Sequence, residues 1–216
     1  MQNLSSFRRP NTNKSMGIEW ELIDTEYVSE YGEYYGFFKA TRDGSISRAY
    51  SQSGNGVEFV SQPLSAQWLK KELIRLNNKM QKRADGNRVS WAPGDTHPCW
   101  MAYNESCGIH IHVSRKWCTI EKAKNIYAWL QLMADGEPSL YEDMFGRKPN
   151  DYCQVGPEFG SSRYLAVNNE NKATVEFRMF SSGTVHWACK CVDTVEWLIN
   201  NHDHLNVDAA AAFCDL

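Results

Sequence analysis

Apolar side chains occupy every second position at Met16, Ile18, Trp20 and Leu22, with Gly17, Glu19, Glu21 and Ile23 between and after them. A period of two predicts a strand with one apolar face, from which Glu19 and Glu21 project together on the other side. Tyr35 to Ala40 and Val57-Glu58-Phe59-Val60 predict two more short, antiparallel strands, separated by a turn at Asp43-Gly44 and ended by Pro63. After Ser65 the period changes. Leu69, Leu73, Leu76 and Met80 recur at helical spacing among Lys, Arg and Asn, predicting an amphipathic helix packed on the back of the sheet. Cys107 to Val113 returns to strand spacing and puts His110 and His112 on one face. A helix is expected from about Thr119 to Ala134, and Pro138, Pro149 and Pro157 interrupt the stretch after it. Arg163 to Asn168 and Thr174 to Ser181 predict two strands around a polar turn, and a final helix runs from near Thr184 to Asn201. Residues 1–15 are expected to be a flexible leader and 16–216 a single domain.

The polar faces of these strands carry the chemistry. In Thr174 to Phe180, Val175, Phe177 and Met179 share the apolar face, while Glu176 and Arg178 share the other. Three strands thus each place two polar or ionisable groups two positions apart, and Glu58 adds a fourth contribution. Neighbouring carboxylates raise one another's pKa unless positive charge lies between them, and a divalent cation supplies it. Four glutamates with a histidine suit Mg²⁺ or Mn²⁺ better than a structural zinc site. Taken singly, each pair also fits an exposed polar face, and Glu176 with Arg178 fits a surface ion pair.

Composition narrows the classes. The 216 residues carry a net charge of −3, so there is no global positive field to attract nucleic acid, which is not an expected partner. No run approaches the roughly 18 apolar residues of a membrane span, and the first residues lack a signal-peptide core, so a cytoplasmic protein is expected. Seven cysteines without a C-x-x-C spacing read as reduced thiols. His97, Cys99, Cys107, His110 and His112 form a loose alternative set of zinc ligands.

Gly17-Ile18-Glu19-Trp20-Glu21, Asp43-Gly44-Ser45, Gly56-Val57-Glu58-Phe59-Val60-Ser61, Cys107-Gly108-Ile109-His110-Ile111-His112-Val113-Ser114, Arg163-Tyr164 with Asn168, and Thr174-Val175-Glu176-Phe177-Arg178 occur in that order. Together they resemble the amidoligase family of the glutamine synthetase and glutamate–cysteine ligase superfamily, over residues 16 to about 200. The resemblance implies an α+β fold, a curved antiparallel sheet with helices on its convex side and a concave ATP funnel holding two or three Mg²⁺ or Mn²⁺ ions. It implies Glu19 and Glu21 as ligands of neighbouring ions, with Glu58 joining Glu21. His110 would join Glu19 and Glu176, and Asp43 is the candidate third carboxylate beside Glu21, against a turn-only reading. His112 and Ser114 would lie near the nucleotide, and Arg178 and Arg163 would face the transferring phosphate. The implied activity is ATP-dependent joining of a small-molecule or peptide carboxylate to an amine through an acyl phosphate, releasing ADP and phosphate. The chain has no room for glutamine synthetase's separate amino-terminal domain, and a homo-oligomer stays open. The rival functions are a metal-dependent phosphoester hydrolase using the same carboxylates and a non-catalytic nucleotide- or zinc-binding protein.

Overall fold

The computed structural model describes residues 13–24, 29–43, 46, 55–86, 101–160 and 162–214. Its strands and helices alternate in blocks: β1 (Met16–Asp24), β2 (Tyr34–Tyr35), β3 (Phe38–Arg42), β4 (Asn55–Ser61), α1 (Ala66–Gly86), β5 (Met101–Ala102) and β6 (Gly108–Ser114). There follow α2 (Ile120–Gly136), α3 (Pro138–Phe145), β7 (Val167–Asn168), β8 (Thr174–Ser181), α4 (Val185–Asn200) and α5 (Val207–Cys214). All the strands pair antiparallel in one open sheet of order β2-β3-β4-β1-β6-β8-β7, with β5 on the end of β1.

The period-two pattern of β1 becomes a two-faced strand at the sheet's centre. Ile18, Trp20 and Leu22 are fully buried in the core, with Val57 and Phe59 from β4 and Ile109 and Ile111 from β6. Leu69, Leu73, Leu76 and Met80 of α1 are buried in the same cluster, as are Val185, Ala188, Val192, Val195 and Ile199 of α4. α1 and α4 touch each other as well as the sheet, so the helices cover its apolar face and leave the glutamates and histidines on the opposite one. Capping fixes where helices begin: Thr119 and Thr184 side chains accept from the backbone N–H groups of Lys122 and Trp187.

Several local expectations need correction. Tyr35 to Ala40 is not one strand but a hairpin, turning through Gly36 at φ 69°, a conformation open to glycine and costly for most other residues. The proline-punctuated stretch holds a helix, α3, because Pro138 stands at its first turn, where the missing N–H costs nothing, and Gly146 ends it at φ 75°. The expected strand from Arg163 shrinks to Val167–Asn168. The helix near Asn201 is not the last, since α5 follows it. Strict alternation in β8 also fails. Ile111 pairs with Phe177 but Ile109 with Phe180, so Arg178 and Met179 together oppose His110 in a β-bulge. Both Met179 and Phe180 are consequently buried, and Phe180 meets Phe145 edge-on at 5.6 Å. Residues 1–12 of the expected leader, Gly44 and Ser45 of the turn motif, and His97 and Cys99 of the zinc alternative lie outside the described residues.

Candidate metal centre

Register converts separate sequence pairs into one cluster. Glu19 lies across from His110, Glu21 across from Glu58, and His112 across from Glu176, on three neighbouring strand pairs. Glu19 bridges the histidines, with Oε2 3.2 Å from His110 Nδ1 and Oε1 3.0 Å from His112 Nε2. The second of these is close without the alignment of a hydrogen bond. His110 Nε2 stands 3.6 Å from Glu21 Oε1, and Glu176 Oε1 is 3.8 and 3.9 Å from the two imidazoles. Arg178 donates to Glu176 Oε1 at 2.6 Å. At exposures of 5% for Glu21, 6% for His110 and 9% for Glu176, this is no solvated surface pairing.

Three of the carboxylate candidates are each held by a neighbour. Gly108 N–H donates to Glu21 Oε2 at 2.6 Å, Asn168 Nδ2 to Glu176 Oε2 at 3.0 Å, and Thr41 Oγ1 to Glu58 Oε2 at 2.8 Å. Such contacts orient carboxylates before any ion arrives. The positioning roles of Thr41 and Asn168 escape the sequence, because only strand register brings them beside their carboxylates. The same holds for Arg147, whose Nη2 donates to the Arg178 carbonyl at the bulge at 2.6 Å.

Three sets of potential ligands lie close enough to share an ion: Glu19 with His112 and Glu176, Glu19 with Glu58 and His110, and Glu21 with Asp43 and Glu58. Asp43 thus lies within reach of Glu21 and Glu58, while His112 rather than the expected His110 falls in the set with Glu19 and Glu176, and His110 falls with Glu19 and Glu58. None of these sets uses a cysteine. Cys107 is buried, and burial raises its thiol, as suits a packed strand-start residue. Ser114 lines a cavity of about 400 Å³ with Glu19 and His112 at one end of the cluster. Arg163 is exposed, with its guanidinium over the Tyr164 ring at 5.5 Å.

Protonation shows the strain of gathering these charges. Burial works to raise Glu19, but the close contacts and charge of His112 and His110 prevail and hold its carboxyl well below the usual range. Burial lowers the His112 imidazole, yet Glu19 overrides it and the net shift is upward. Burial raises Glu21, against the His110 charge and the Gly108 N–H. Burial, then the Glu19 charge, pushes Glu58 up to about 7. The upward shifts of Glu58 and His112 both answer in part to the Glu19 charge, which a divalent ion would offset directly, and the oxygen-rich donor set with one or two imidazoles fits Mg²⁺ or Mn²⁺.

No protein-family model matches the chain, and no curated protein matches it in sequence. Among solved structures, a glutamine synthetase from Plasmodium falciparum aligns at 13% identity and a TM-score of 0.41, covering 85% of this chain and 52% of that one. The chain spans about half that protein's length, and so slight a likeness carries no argument. The class that stands is an α+β protein with an open antiparallel sheet, five described helices and a polar face bearing a carboxylate–imidazole cluster.

Proposed function

We propose that the protein is an ATP- and divalent-metal-dependent carboxylate–amine ligase. The observation that carries this reading is the overlap of the ligand sets: Glu19 belongs to two of them and Glu58 to two, so neighbouring ions would share carboxylates. Two or three Mg²⁺ or Mn²⁺ ions held there would neutralise charge on ATP's phosphate oxygens. The motif order described above supports the same reading.

In this reaction a carboxylate oxygen of the acid bonds to the γ-phosphorus of ATP while the bond to the bridging oxygen breaks and ADP leaves. The amine nitrogen then bonds to the acyl carbon, loses a proton, and phosphate departs with the C–O bond's electrons. The chain's own part is positioning and electrostatic stabilisation. Arg178, fixed by Glu176 and by its place in the bulge, offers a guanidinium for the transferring phosphoryl group. The cavity of about 400 Å³ beside His112 and Ser114 is the proposed nucleotide site. Arg163 is proposed to support Arg178 in facing the transferring phosphate.

Calorimetric titration with a non-hydrolysable ATP analogue tests this. Binding should require Mg²⁺ or Mn²⁺ and should weaken by about tenfold or more in Glu19→Ala and Glu176→Ala. Metal-independent binding, or none under any metal condition, would sink the proposal.

A further inference from the structure

The net charge of −3 denies the chain a global positive field, but its charges are unevenly spread. α1 alone holds six basic residues against two acidic ones, a net of +4, so the remainder carries −7. The helix also sorts them by face. Leu69, Leu73, Leu76, Met80 and Ala84 are buried on one side, while Lys71, Arg75, Lys79 and Lys82, all exposed, recur at i, i+4, i+8 and i+11 on the other. At a rise of about 1.5 Å per residue, these four cations run roughly 16 Å along the helix. Trp68 stands about one turn before Lys71 on the same stripe, 47% exposed, with Lys71 Nζ 5.2 Å from its ring centroid.

Most of this charge is not neutralised within the protein. Arg75 contacts the buried Glu72, and on the flank Lys70 pairs with Asp193 of α4. Among the described residues no carboxylate pairs with Lys71, Lys79 or Lys82, and Lys79 lies instead over the Tyr35 ring at 5.0 Å. Like charges a turn apart on a helix repel, and a polyanion laid along the stripe would relieve that repulsion.

We propose that this face of α1 binds single-stranded nucleic acid, with phosphates along Lys71, Arg75, Lys79 and Lys82 and a base stacked at Trp68. Three features favour that polyanion over others. A membrane-surface helix inserts an apolar face, and the apolar face of α1 is already spent in the core. α4 packs against α1 and brings Asp193 and Glu196, so a broad anionic surface laid over both helices would meet carboxylates, whereas a single strand can follow α1 alone. An unpaired base can stack on the exposed Trp68 ring, as one inside a duplex cannot. Because α1 covers the sheet face opposite the carboxylate–imidazole cluster, this binding is independent of the ligase reading.

The test is fluorescence anisotropy of a labelled oligothymidylate of about 15 nucleotides, titrated with the full chain in metal-free buffer. Four phosphate contacts predict a log–log salt slope of about −3, a loss of about fiftyfold in affinity between about 50 and 200 mM salt. The triple variant Lys71→Gln, Lys79→Gln, Lys82→Gln should bind far more weakly, with the slope flattened to about −1 or less. Trp68→Ala should lose about tenfold while keeping the wild-type slope, and Trp68→Phe should recover most of that loss. Lys116→Gln with Lys124→Gln, exposed lysines on other segments, should change nothing, and unaltered thermal unfolding would show that every variant is folded. No binding at low salt, or binding untouched by the triple variant or by Trp68→Ala, would overturn the proposal. So would equal or tighter binding of a duplex, of poly-L-glutamate or of phosphatidylserine vesicles.

Discussion

Glu58 concentrates the cost of the site in one side chain. Its folded-state pKa, about 7, lies above its ordinary 4.5 because of burial and the neighbouring Glu19 charge. Between those values the folded protein holds a proton that the unfolded chain releases, so this residue's contribution to stability falls as pH rises through the window and levels off above about 7. In metal-free protein, Glu58→Gln should therefore resist denaturant better than wild type at pH 8 and gain little at pH 5. Urea unfolding midpoints at the two pH values check this, and an equal difference at both would show that Glu58 is ionised throughout. Glu19 has the opposite sign: its depressed pKa contributes stability above the ordinary carboxylate value, lost as pH falls below it.

At the scale of elements, what matters is how firmly the backing helices hold the site strands. α4 begins at Thr184, whose hydroxyl accepts from the Trp187 N–H at 3.3 Å, immediately after the segment that follows β8. The same segment is pinned from the sheet side, where Trp20 Nε1 donates to the Gly183 carbonyl at 3.3 Å and Ser182 N–H to the Cys107 carbonyl at 3.1 Å. Thr184→Ala should cost about 0.5–2 kcal/mol, the usual worth of such a cap, with Thr184→Ser retaining most of it. Denaturant titration of the three proteins decides the matter, and identical midpoints would show that packing alone sets the start of α4. The β8 bulge is the other decisive element. Arg178 keeps the polar face of Glu176 by simple alternation, and the extra residue that follows lets Met179 and Phe180 both be buried, with Phe180 paired to Ile109.

Over the whole molecule, the cluster gathers side chains from β1, β4, β6 and β8 with Asp43 just beyond β3, so an ion bound there would tie together the centre of the sheet. Metal binding to the folded chain alone stabilises it by mass action, by about 2.7 kcal/mol at a hundredfold excess over Kd, or roughly 5–10 °C in Tm for a chain of this size. Thermal unfolding with Mn²⁺ should show such a rise for wild type and a much smaller one for Glu19→Gln, because Glu19 belongs to two ligand sets. An equal rise in both would point to a non-specific effect.

Much of this was already legible in the chain. The alternation at Met16 to Leu22 and the helical spacing of Leu69, Leu73, Leu76 and Met80 determined which faces are apolar, since burying them is the main favourable term in folding. The same alternation placed Glu19, Glu21, His110, His112, Glu58 and Glu176 on polar faces. It could not say that Glu19 meets His110 or that Asn168 holds Glu176, because register is a relation between strands far apart in sequence. Nor could periodicity find the bulge at Arg178 and Met179 or bring Arg147 to Gly108. Both depend on how one strand accommodates an extra residue against its neighbour and on which loop then satisfies the displaced carbonyl, and only the packed tertiary structure decides that.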